Sequence, residues 1–404
     1  MQRGVAQFAS ILLVLSLTGC SWFGGDEDGE VRDPYPLTKF TPEVEIKTVW
    51  STRIGQGSQD KYQRLAPAID AGRIFAASRD GTVVALDPAK GSKIWSIDLR
   101  NIHAGQKTGG FFSFGKGDEG AISGGVGVGN QLVLVGTSAG QVVALNQSDG
   151  SLAWISAVSS EVLAPPQIND DIAVAQSIDG KVFGFDPMDG TQRWTYATSV
   201  PSLTLRGTST PILMPDIVIS AFANGRVVLL SSEQGLPHWE QKVAVSQGQS
   251  ELEKLVDIDG AMVVQGNRLF VASYQGRLIS LDISQGGINW QHQASSFAGL
   301  GGGFDQVYLA AENSVIIAYD MDTSKEIWRI DALTYRDVTS PVTIGNYIVV
   351  GDVEGYIHLL AQTDGRFVGR KKVDGDGIRS AVLAGGNRLY VLSNSGKLTA
   401  LAIQ

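Results

Sequence analysis

Few residues in this chain are equipped for chemistry. It has one cysteine, Cys20, and four histidines, His103, His238, His292 and His358. A thiol can act as a nucleophile, join a disulfide or ligate zinc, but a single one excludes an intramolecular disulfide and any multi-cysteine metal site. The histidines lie in unrelated segments, without the spacing that puts two imidazoles on one metal, so each reads as an isolated surface or core residue. Two glycine-rich runs, "GGVGVG" at 124–129 and "GLGGG" at 299–303, have the composition of a phosphate cradle. Neither carries the Lys-Ser/Thr of a P-loop or opens a helix, so turns between blades of a repeated sheet account for them better. The acids of "GDEDGE", 25–30, read as a solvated stretch. No catalytic residue, cofactor site or metal site is expected.

Cys20 gains its meaning from what precedes it. The stretch "MQRGVAQFASILLVLSLTGC" has a positive start at Arg3, a short apolar run from Phe8 to Leu17, and small residues before the cysteine. This is an export signal, too short to span a membrane. The ending "LTGC" resembles the bacterial lipobox, which implies cleavage after residue 19 and acylation of Cys20. More than one acyl chain makes a stable anchor, at about 0.8 kcal/mol per buried CH₂. Ser21, a residue other than Asp, implies sorting to the outer membrane. Residues 20–43 then form a lipidated tether: rich in Gly, Pro, Asp and Glu, they show no helical or strand periodicity.

The body, 44–404, must position whatever function exists, and it is built by repetition. "DGTVVALDPAKGSKIW" ends at Trp95, "AGQVVALNQSDGSLAW" at Trp154, "DGKVFGFDPMDGTQRW" at Trp194, "NGRVVLLSSEQGLPHW" at Trp239 and "QGRLISLDISQGGINW" at Trp290. Each runs 14 residues from turn glycine to tryptophan. A sixth copy reaches Trp328 with Ser314 and Ser324 replacing the glycines, and a seventh has Gly369 where tryptophan is expected. Pairs such as Asp80-Gly81 suit tight turns, and runs such as Val83–Leu86 are apolar on both faces. With another strand pair upstream of each turn, every unit supplies four antiparallel strands. The turn positions 81, 140, 180, 225, 276, 314, 355 and 396 number eight. The fold class is therefore all-β, an eight-bladed β-propeller. The last unit stops at its third strand, and "EVEIKTVWSTRIG", with Trp50, supplies the fourth and closes the ring.

The repeat resembles the tryptophan-docking repeat of the pyrroloquinoline quinone (PQQ) dependent dehydrogenases, also eight-bladed. That resemblance implies architecture; the cysteine pair and calcium site of those enzymes have no match here. A PQQ-dependent periplasmic dehydrogenase stands as the alternative function. The net charge of −9, without clustered Lys and Arg, speaks against a nucleic-acid partner.

Four-stranded blades return the chain to one face after each blade, so the inter-blade connections gather there. The first long one, about 100–120, holds "GGFFSFGKGDEG", an aromatic loop that suits either a partner or the ring itself. Two neighbouring connections, 199–207 and 246–260, place Leu203, Leu205 and Arg206 beside Asp257 and Asp259, an apolar centre with charged edges as protein interfaces have. The competing reading is that Leu203 and Leu205 begin a core strand.

Lipobox, acidic tether, eight blades closed by the N-terminal strand, and "SLTLRG" followed by "DID" together resemble the BamB family, lipoproteins of the machinery that inserts β-barrel proteins into the bacterial outer membrane. The resemblance implies a non-enzymatic scaffold on the periplasmic side of the outer membrane. It also implies that Leu203, Leu205, Arg206, Asp257 and Asp259 contact the periplasmic (POTRA) domains of the barrel subunit BamA. Unfolded barrel precursors are a further possible partner.

Overall fold

Each turn of the repeat folds as its chemistry requires. Gly81, Gly225 and Gly396 take positive φ values of 94°, 71° and 80°, open to glycine because it has no Cβ. On either side of such a turn run the second and third strands, for example Arg73–Ala77 and Thr82–Leu86, whose last four residues in each case are buried. The computed structural model describes residues 32–58, 63–102, 121–245, 250 and 252–404. The expectations for the leader, for Cys20 and for the 103–120 part of the aromatic loop lie outside the described residues.

The strands form eight four-stranded antiparallel sheets, seven of them in chain order from axis to rim. The first comprises Ala68–Asp70, Arg73–Ala77, Thr82–Leu86 and Lys93–Asp98. The eighth takes its outer strand from the other end of the chain: Ile46–Arg53 pairs with Lys397–Ile403, from Ile46 opposite Ile403 to Arg53 opposite Lys397. The two chain ends thus share one sheet, and the ring closes as expected. Facing sheets pack through the side chains of their second and third strands; Val174 and Val182 of one blade meet Val218 and Val228 of the next. Each such fully buried aliphatic side chain contributes about 1.5–3 kcal/mol.

Neighbouring blades are stitched by indoles. Trp50, Trp95, Trp154, Trp194, Trp239, Trp290 and Trp328 each donate Nε1–H to a backbone carbonyl near the third-strand end of the next blade, at 2.7–2.9 Å. The repeat's second glycine makes room for the preceding blade's ring: a Cβ on Gly91 would sit 2.4 Å from Trp50. Turn glycine and tryptophan are thus two halves of one joint, in adjacent blades.

The joint between blades seven and eight is made differently. Gly369 stands where the tryptophan would be, and a Cβ there would already lie 3.2 Å from the Val44 carbonyl. The backbone N–H groups of Glu43 and Val44 both donate to Val368 O, and Glu45 exchanges both backbone hydrogen bonds with Gln404. Upstream, Phe40 stacks on Phe367 at 5.6 Å, Arg370 donates to Thr38 O at 2.8 Å, and Arg336 donates to Tyr35 O at 2.7 Å. Residues 35–43, the end of the expected tether, therefore lie along the outside of blade seven as a strap.

Behind the strap is a buried polar cluster. Arg370 Nε donates to His358 Nδ1 at 3.0 Å, which makes Nε2 the protonated nitrogen, and Nε2 meets Asp352 Oδ2 at 2.8 Å. Arg336 Nε completes the group with a 2.8 Å bond to the same oxygen. Burial holds the His358 imidazole below its ordinary pKa, so it stays neutral. His358 is a core histidine with a structural partner. His292 is half-buried, with Nε2 2.6 Å from Ser324 O, and His238 is exposed.

Candidate interface at the mouth of the ring

The first strand of each blade starts near the axis, so the residues just before it line the mouth. Six connections place a residue four positions ahead of that strand on the wall of an open cavity of about 570 Å³: Arg64, Leu163, Thr208, Asp259, Val338 and Arg379. This offset is a signal in the sequence that motif reading passed over. It would have found Arg64, Arg379 and, one residue away, Asp337.

Leu205 lines this mouth and Leu203 lies two residues ahead of it on the same loop, 40% and 39% exposed. The first strand of blade four begins only at Ile212, so neither leucine starts a core strand. The loop is held in place by polar bonds. Asp257 Oδ2 accepts the Leu205 N–H at 2.6 Å, and Tyr274 N–H donates to the Asp257 carbonyl at 2.8 Å. Gly207 passes so close to Asp259 that a Cβ there would fall 2.2 Å from the carboxyl carbon. Arg206 takes a positive φ of 55°, a conformation that side-chain-bearing residues adopt at a cost, and its guanidinium reaches across to Glu161 Oε2 at 2.6 Å.

All five expected residues thus converge, but in two layers. Leu203, Leu205 and Arg206 face solvent, whereas Asp257 is fully buried and Asp259 only 8% exposed. The expected charged edge is therefore supplied by Arg206 and Glu161, with the two aspartates underneath. Asp257 lies there as the acceptor of the Leu205 N–H, and Asp259 lies in the cavity wall, packed against Gly207. Burial pushes the Asp257 carboxyl up to about 6, against the pull of the Leu205 N–H. Burial, reinforced by the charge of Asp257, pushes Asp259 up to about 7, while Arg64 acts in the opposite sense. Among the described residues no group of three or more His, Cys, Asp or Glu is placed to hold a metal ion. The arrangement offers apolar contact, one cation and a rigid backbone, which are the means of docking.

The family described as outer membrane protein assembly factor BamB matches residues 46–106, 79–330 and 312–404. A relative from Pseudomonas aeruginosa, also named outer membrane protein assembly factor BamB, is 41% identical over 396 residues, 98% of each chain. The crystal structure of BamB from Moraxella catarrhalis is similar with a TM-score of 0.77 and 30% identity, covering 89% of this chain and all of that one. A quinohemoprotein alcohol dehydrogenase from Pseudomonas putida shares the fold, with a TM-score of 0.68 over 91% of this chain and 78% of its own, but at 13% identity the likeness extends to architecture alone. The chain belongs to the outer membrane protein assembly factor BamB family.

Proposed function

We propose that the chain is a non-enzymatic scaffold of the outer-membrane β-barrel assembly machinery that docks the POTRA domains of BamA through the rim of its ring mouth. Leu203, Leu205 and Arg206 make the contact, and Asp257 and Asp259 hold the loop in its contacting shape. The observation that carries this reading is the pair of half-exposed leucines on a backbone pinned from below by a buried carboxylate. Exposed apolar side chains on a rigid support bind with little loss of conformational freedom. Acylated Cys20 anchors the protein to the outer membrane, with the propeller on the periplasmic side. Through this docking the propeller assists the insertion of β-barrel proteins.

Capture of BamA's periplasmic region by the propeller tests the reading. Leu203→Ala and Arg206→Ala are expected to lower capture together by tenfold or more, with thermal unfolding unchanged. Undiminished capture contradicts the residue assignment. The alternative, a PQQ-dependent dehydrogenase, predicts saturable quinone binding with dye reduction, and no residue of the mouth favours it.

A further inference from the structure

We propose that residues 34–43 turn the mouth of the ring toward the bilayer, by carrying the chain that leads to Cys20 from the far face of the propeller to the mouth face. This rests on the anchoring of Cys20 and is independent of where BamA docks. Ring closure dictates where the strap begins. Ile46–Arg53 pairs antiparallel with Lys397–Ile403, with Arg53 opposite Lys397 beside the Gly396 turn and Ile46 opposite Ile403. The turns between second and third strands lie on the mouth face, so the closing strand starts at the far face and runs toward the mouth. A chain extending straight out from Glu45 would leave the body on the far face, away from Leu205.

The strap redirects it. Glu43 is held at the far face, where Arg366, in the turn between the third and fourth strands of blade seven, donates Nε and Nη2 to its carboxylate, each at 3.0 Å. Phe40 then stacks on Phe367 with the Arg370 guanidinium 5.0 Å from its ring centre, and the Thr38 carbonyl accepts from Arg370. Tyr35 ends the climb among residues of the connection between blades six and seven. Its N–H donates to Thr334 O at 3.0 Å, its ring meets that of Tyr335 edge-on at 5.8 Å, and its carbonyl accepts from Arg336 at 2.7 Å. Arg336 also binds Asp352 and Glu354 in the mouth-face turn of blade seven, and Asp337 and Val338 beside it line the mouth. The strap therefore runs antiparallel to the six residues of Phe367–Lys372, a height of about 20 Å. Backbone and aromatic contacts at both of its ends fix that direction. From Pro34 back to Cys20 the chain spans at most ~50 Å when fully extended. To present the far face to the bilayer, those residues would have to return down the whole blade, using up ~20 Å of that reach. The short route puts the mouth face, with Leu205, on the membrane side.

The test uses the acylated mature protein in vesicles of phosphatidylethanolamine and phosphatidylglycerol whose headgroups carry a fluorescent acceptor. Cys20 is the chain's one cysteine and its thiol is acylated in the anchored form, so a cysteine introduced by Asp376→Cys or by Thr363→Cys alone takes the donor dye. Both positions are exposed and flank the fourth strand of blade seven, Asp376 after it on the mouth face and Thr363 before it on the far face. Energy transfer from position 376 at least twofold that from position 363 is expected. The two should become equal when residues 35–42 are replaced, at equal length, by Gly and Ser. Thermal melts are the folding control, and if that variant fails to fold, Phe40→Ala, expected to narrow the difference, carries this arm. Equal or reversed transfer with the strap intact overturns the proposal, as does a difference that survives loss of the strap contacts. Flotation separates the two readings: a protein that fails to float with the vesicles loses both anchor and orientation, whereas one that floats but transfers equally from both positions keeps the anchor alone.

Discussion

The Asp257 carboxylate accepts the backbone N–H of Leu205 at 2.6 Å, from a position without solvent exposure. This bond joins two connections that are 52 residues apart in the chain. It separates the site into a contacting layer and a supporting layer. Replacing Asp257 by Ala removes the acceptor and leaves the loop free to move, so capture of the partner should drop severalfold. Asp257→Asn keeps an oxygen in place and should retain most of it. Because the Ala variant also removes a buried charge, its thermal midpoint should stay level or rise. Equal capture by both variants would show that the bond does not set the loop.

A pH dependence follows from Asp259. Its carboxyl is pushed up to about 7 in the folded protein, above the unfolded carboxylate range, so the native state binds the extra proton. The ionised form is therefore a burden above about pH 7, and the burden is relieved as pH falls toward 4. Asp259→Asn should stabilise the protein at pH 8 by on the order of 2 to 4 kcal/mol and have little effect near pH 4. Chemical denaturation at the two pH values checks this. A benefit that is equal at both would mean that the carboxylate is not desolvated.

Blade seven makes its joint with the strap in place of an indole. Val49, Ile94 and Ile327 each occupy the extra bulge position ahead of a docking tryptophan and are 40–46% exposed. Val368 holds the same position in blade seven and is buried, 1% exposed, under residues 43 and 44. Restoring the repeat with Gly369→Trp should destabilise the protein by about 1 to 3 kcal/mol, since the ring would overlap the strap. Removing residues 34–43 should cost about 3 kcal/mol or more, because it strips Phe40 from Phe367 and takes acceptors from Arg336 and Arg370. Urea unfolding separates these outcomes from that of a dispensable tether, for which the shortened chain would unfold with an unchanged midpoint.

Ser324 fills a turn position that glycine holds in the other tryptophan-docking units, and it does so at a φ of 62°. Ser324→Gly relieves that strain, partly offset by the greater freedom of glycine in the unfolded chain. The net gain should be up to ~1 kcal/mol, seen as a small rise in thermal midpoint. A lower midpoint would show that the serine earns its place through contacts.

The blade count was legible because each unit carries two marks in the sequence, a turn glycine and a tryptophan at constant spacing. Closure was legible for the same reason, since Trp50 lacked a preceding turn and the last unit lacked a tryptophan. The strap was not, because the contacts of Phe40, Thr38 and Tyr35 follow no period that would reveal them. Its one trace was the missing indole at Gly369, which became interpretable only once Val44 was seen in its place. Of the site, the meeting of residues 203–206 with Asp257 and Asp259 could be inferred from ring order. The burial of the aspartates could not, since acids are usually exposed and the Leu205 N–H that Asp257 accepts leaves no mark in the sequence.

The central claim is that the partner sits on the mouth face, at Leu205. A photo-crosslinking amino acid placed at Leu205, compared with one at Met188, addresses it directly. Both side chains are exposed, and Met188 lies in a turn between third and fourth strands, on the opposite face of the ring. Illumination in cells should give a BamA adduct from position 205 and none from position 188. An adduct from 188 alone, or equal adducts from both, would contradict the account.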